Sequence, residues 1–93
     1  NFPNPFNPET TIPFLVPPAA LAPGGSTVRL VIYNTVGQQV RLLLDGNVQP
    51  GVHHVVWDGR NAEGLSVGSG TYFYRLTVTP SGDQQTRPMT LVK

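Results

Sequence analysis

Residues 26–33, STVRLVIY, alternate with a period of two, and that alternation constrains the fold most. Val28, Leu30 and Ile32 fall on one face, and Arg29, Val31 and Tyr33 on the other. Such a run reads as a half-buried strand, because successive side chains of an extended chain point to opposite faces. The same pattern returns along the sequence. Residues 10–16 bring Ile12, Phe14 and Val16 to one face, with Pro13 marking an edge strand because it has no N–H to donate. Residues 39–44 do so with Val40, Leu42 and Leu44. Residues 52–57 place Val55 and Trp57 inward and Val52, His54 and Val56 outward. Residues 71–79 group Tyr72, Tyr74, Leu76 and Val78 against Phe73 and Arg75. Residues 85–92 alternate through Met89 and Leu91, and residues 65–67 suggest one very short further strand. No stretch keeps a 3.6-residue period.

The breaks between these runs are as informative as the runs. The chain has 93 residues, with 10 Gly and 10 Pro. That is about a fifth of the sequence, against a usual share of roughly 12%. NFPNPFNPE at 1–9 cannot be helical, since each Pro pushes its predecessor toward extended geometry. It reads as an extended Pro-rich lead-in. PPAALAPGG at 17–25 is a loop, and residues 34–38, 45–51, 58–64 and 80–83 are turns. Seven short strands at these spacings predict one domain over residues 1–93. Its fold class is all-β, an immunoglobulin-like seven-stranded antiparallel β-sandwich. The predicted core is Val28, Leu30, Ile32, Val40, Trp57, Tyr72, Tyr74, Leu76 and Leu91.

Composition narrows function mostly by exclusion. Charged residues make up 12% and the net charge is +1. The basic residues are spread along the chain, which argues against nucleic-acid binding. Without Cys there is neither a disulfide nor a thiolate metal site. No apolar run nears the ~20 residues of a helical membrane span, and no signal-peptide pattern opens the chain.

Candidate sites are few. His53 and His54 are adjacent in a strand, so they face opposite ways and cannot chelate one ion together. One is expected exposed and the other half-buried. Asp58, Asn61 and Glu63 share the loop 58–64. The structural reading has Asp58 accepting from backbone N–H groups. The alternative is a weak Ca²⁺ site, although two carboxylates fall short of the six to eight oxygens such a site needs. The serines lack a Gly-x-Ser-x-Gly setting, and the five acids are scattered over turns. The domain is therefore expected to be non-catalytic, with no cofactor. Tyr33, Phe73, Tyr72, Tyr74 and Trp57 point to core packing with a tyrosine-corner-like contact, or, at Tyr33 and Phe73, to sugar stacking. Arg29 and Arg75 lie on central strands opposite the apolar faces, either solvated or as a small basic patch for an anionic partner.

Four patches in order carry a family resemblance. They are NFPNPFNP at 1–8 with TTI at 10–12, VIYNTVG at 31–37, WDGR at 57–60 and GTYFYRL at 70–76. MTLVK at 89–93 closes the chain. Together they resemble the type A C-terminal sorting domain of type IX secretion cargo. That family is similar in turn to the immunoglobulin-like domain of the flagellar hook-capping protein. The resemblance spans essentially the whole chain. It implies a module at the end of secreted proteins of Bacteroidota and relatives, with its cargo on the N-terminal side. After export to the periplasm, such domains are recognised by the type IX machinery of the outer membrane. A surface sortase can then remove the domain and join the cargo to an anionic lipopolysaccharide. The family's recognition elements map onto residues 70–76 and 89–93, here Gly70, Tyr72, Tyr74, Leu76, Met89, Leu91 and Lys93. Pro88 departs from the family pattern and works against regular pairing where the last strand begins. The loop 17–25 is longer than typical. Two other readings stand beside this one. The first is a carbohydrate-binding or spacer module of a secreted modular glycosidase. The second is a structural segment of a flagellar or adhesin assembly.

Overall fold

A computed structural model of the chain describes residues 9–16, 26–79 and 82–92. These form six strands: β1 (Thr10–Val16), β2 (Ser26–Tyr33), β3 (Gln39–Val48), β4 (Gly51–Trp57), β5 (Gly70–Thr79) and β6 (Gln84–Leu91). No helix occurs among the described residues. β1 and β4 form one sheet, and the other runs β3-β2-β5-β6, with every pair antiparallel. The fold is the all-β, immunoglobulin-like sandwich expected from the alternation. The lead-in over 1–8 and the loop over 17–25 lie outside the described residues.

The two sheets face each other across one core. Ile12, Phe14, Val16 and Trp57 come from the smaller sheet, and Val28, Leu30, Ile32, Leu76, Val78 and Leu91 from the larger. Each buried aliphatic contributes about 1.5–3 kcal/mol relative to exposure. A slip of one residue would turn a whole set outward, so the register is strongly specified. In β1–β4 that register sets Ile12 against Val55 and Phe14 against His53. His53 is half-buried and stacks on Phe14 at 5.6 Å, while His54 is exposed.

Four expectations need correction. The short strand expected over 65–67 is reduced to an isolated bridge between Arg60 and Ser66. β3 runs past residue 44 to Val48 and does not alternate cleanly. Leu30 pairs with Leu44 and Val31 with Leu42, leaving Leu43 over. Ile32 pairs with Arg41 and Tyr33 with Gln39, leaving Val40 over. Each extra residue resets the alternation, as β-bulges do. Leu42 is consequently exposed, while Leu43 joins Leu44 against the core. Val40, Tyr72 and Tyr74 are half-buried at the rim of the core rather than inside it. Finally, Pro88 does not disturb the last strand. β6 pairs with β5 without a register shift from Gln84 to Leu91. Among the described residues it has no second partner strand, and an edge strand tolerates Pro. Pro13 sits in β1, which likewise pairs on one side alone among the described residues.

Candidate functional site

The two stretches expected to carry recognition are neighbours in space. Gly70 pairs with Leu91, Thr71 with Thr90 and Tyr72 with Met89, so 70–76 and 89–91 form one ribbon of β5 and β6. Gly70 opens β5 at a φ of 147°, which favours glycine. Tyr72 is held twice. Its ring meets Trp57 edge-on at 5.2 Å, and its hydroxyl donates to the Gly68 carbonyl at 2.7 Å. That bond from the start of a strand back to the preceding loop is the tyrosine-corner contact expected from the sequence. Tyr74 is half-buried beside an open groove of about 450 Å³ between β1 and β6, lined also by Pro13, Leu15, Gln85 and Arg87.

Period two sends all these side chains to the inner face. Leu76 and Leu91 are fully buried and Met89 half-buried against the core. In the folded domain Leu76 and Leu91 hold the ribbon in place and present no surface. Lys93 lies outside the described residues. What the ribbon offers outward is one step out of phase: Thr86, Pro88, Thr90 and Val92 are exposed. Thr86, Thr90 and Val92 stand outside the expected recognition residues, although their phase relative to Met89 and Leu91 identifies them.

The loop after β4 is tied together from within. Trp57 buries its ring completely and donates its indole Nε1–H to the Arg60 carbonyl at 3.0 Å. Asp58 accepts from the Arg60 N–H at 3.1 Å, as expected, and pairs with Arg41 Nη1 at 3.2 Å. Arg41 comes from β3, so this pair joins the two sheets. The Ala62 N–H also donates to the Val40 carbonyl of β3 at 3.1 Å. Asn61 Oδ1 accepts from Glu63 and Leu65 N–H groups, each at 3.0 Å. Gly59 is buried at a φ of 74°, and its carbonyl accepts from Val67 at 2.9 Å. Two of the three side chains weighed for a cation, Asp58 and Asn61, thus fold the loop. Among the described residues no three His, Cys, Asp or Glu side chains converge.

On the outer face of the larger sheet, Arg29 and Arg75 are exposed, and Tyr33 and Phe73 are half-buried. The guanidinium of Arg75 stands over the Tyr33 ring at 5.2 Å.

Comparison with known proteins settles the family. The model of the FlgD Ig-like domain matches residues 19–83, well over half the chain. The chain belongs to the FlgD Ig-like domain family. The match runs from ahead of β2 to the turn before β6, so the last strand lies beyond it. The basal-body rod modification protein FlgD of Salmonella typhimurium is 35% identical over 57 residues, covering 61% of this chain and 25% of that protein. The same protein of Salmonella typhi matches equally. The chain therefore spans about a quarter of these relatives. The crystal structure of FlgD from P. aeruginosa superposes over 90% of this chain and 60% of that one, with a TM-score of 0.67 and 20% identity. That likeness bears on the fold alone. PorZ, titled an essential bacterial surface component of the type-IX secretion system of Porphyromonas gingivalis, superposes with a TM-score of 0.49 and 21% identity. It covers 89% of this chain and 11% of that one, and so loose a match carries no argument.

Proposed function

We propose that this FlgD Ig-like domain is a non-catalytic sorting module. It directs a cargo protein on its N-terminal side through a type IX secretion system to the outer-membrane surface. The observation carrying this reading is that 70–76 and 89–91, the stretches resembling the family's recognition elements, lie on the paired strands β5 and β6 at the edge of a sheet, with Gly70–Tyr72 opposite Met89–Leu91. An edge strand supplies unpaired main-chain groups for a receptor strand, and alternate side chains supply specificity. On β6 those side chains are Thr86 and Thr90, with Val92 just after it, while Pro88 removes one donor and so limits indiscriminate pairing. The reading includes periplasmic transit, a surface sortase as the second partner and attachment of the cargo to an anionic lipopolysaccharide. No nucleic acid or cofactor takes part.

The test is delivery of a reporter. Residues 1–93 are fused after a fluorescent protein exported to the periplasm, in hosts with and without a working type IX system. Fluorescence at the surface of the first host, and retention in the second, is the expected result. Equal retention in both, with the domain protease-resistant, contradicts the reading. A structural segment of a flagellar assembly is the second reading, favoured by the 35% identity to FlgD. It predicts retention in both hosts and binding to rod or hook subunits.

A further inference from the structure

The outer face of the four-stranded sheet carries an arrangement that the sorting role uses only at Thr86 and Pro88. One rung crosses all four strands as Gln39, Tyr33, Phe73 and Pro88, a span of about 14 Å at the usual strand spacing. Val31 and Arg75 form the next rung, and Arg29 and Thr77 the one beyond. Arg29 and Arg75 are thus diagonal neighbours on adjacent strands, close enough to repel one another. Neither has an ion pair among the described residues. The nearest acid in the register is Asp45, opposite Arg29 on the side away from Arg75.

Arg75 is already oriented. It stacks over Tyr33 at 5.2 Å, and its Nε donates to Thr86 Oγ1 at 3.3 Å. Its remaining N–H groups are left for an acceptor, and a fixed guanidinium fork suits a carboxylate or phosphate. The Arg75–Tyr33 pair forms a ridge between two shallow depressions. One, of about 360 Å³, includes Arg29, Gln39, Thr77 and Gln84. The other, of about 240 Å³, includes Asn34, Phe73 and Thr86. Neutral hydrogen-bonding groups flank the row of rings, with Arg75 one rung from it and Arg29 two.

We propose that this face binds an anionic polysaccharide, whose sugar rings lie along the Tyr33–Phe73–Pro88 row and whose acidic groups meet Arg75 and Arg29. Depressions on both sides of the ridge fit a chain that crosses it better than a single small anion. The site shares Thr86 and Pro88 with β6, but its binding does not rest on the sorting role.

The full chain is titrated with polygalacturonate, with neutral dextran and polyglutamate as comparisons, and followed by calorimetry and backbone amide shifts. Polygalacturonate is expected to shift amides of β2 and β5 and to bind more weakly as salt rises. Arg75→Gln should weaken it by about tenfold or more, and Arg29→Gln by less. Tyr33→Ala should also weaken it, while Arg87→Gln, on the other face, should not. Melting curves confirm that each variant is folded, and Arg29→Gln tests the cation requirement without touching the Arg75–Tyr33 stack. Three results overturn the proposal. One is no polygalacturonate binding by the folded domain. Another is undiminished binding by both arginine variants. The third is polyglutamate bound as tightly without dependence on Tyr33, which would mark an acidic polypeptide partner.

Discussion

Along the side where β3 and β4 lie, the loop after Trp57 reaches across from one sheet to the other. Arg41 meets Asp58 there, and Ala62 donates to Val40. Along the other side, β1 and β6 border an open groove, each strand carries a proline, and Leu15 at the rim is 57% exposed. β4 on the first side and β1 on the second follow the same alternation, and only β3 is reset by bulges. The difference comes from the connections. A loop rich in Gly, Asp and Asn supplies donors and acceptors that stitch two sheets, whereas two edge strands with no shared ladder leave the seam to side-chain packing. The sealed side is expected to set stability, and the open side to be free for partners.

Changes on the two sides should therefore differ in effect. Trp57→Ala, on the sealed side, should cost about 3–5 kcal/mol in a urea melt. A small domain holds only about 5–15 kcal/mol, so this change comes close to unfolding it. Gly59→Ala forces a Cβ onto a left-handed backbone and should cost about 1–2 kcal/mol by the same measurement. Tyr72→Phe removes the hydroxyl bond to Gly68 and should cost about 1 kcal/mol, visible as a lower melting temperature. Leu15→Thr, on the open side, should change stability by no more than about 0.5 kcal/mol. A Leu15→Thr domain as damaged as Tyr72→Phe would erase the contrast.

How far the sequence reached depended on what each element rests upon. β2 was legible because its inward positions after Ser26 are all apolar and its two neighbours hold it in phase. The inward placement of Trp57 and Val55 followed from the size of the indole ring. β3 misled because its two bulges depend on pairing with β2, which local alternation cannot register. Residues 65–67 looked like a strand from composition, but the loop's own hydrogen bonds use most of that backbone. For the candidate site, the motifs marked two stretches that the fold brings together as one ribbon, and they marked its inward side chains. The outward set needed the register, since Leu76 and Leu91 become inaccessible only once β5 and β6 are packed on the smaller sheet.

The central claim is that a folded sandwich presents a sorting signal on its last strand, and that fold and signal are separable. The most direct measurement compares three reporter fusions in a host with a working type IX system: the wild-type domain, Trp57→Ala, and the pair Val92→Asp with Lys93→Glu. Val92 is 73% exposed, so its substitution leaves the core intact. Surface delivery of the wild type alone is predicted, with the Trp57 variant degraded and the Val92/Lys93 variant retained in a protease-resistant form. Delivery of the Val92/Lys93 variant at the wild-type level would place the signal elsewhere and contradict the account.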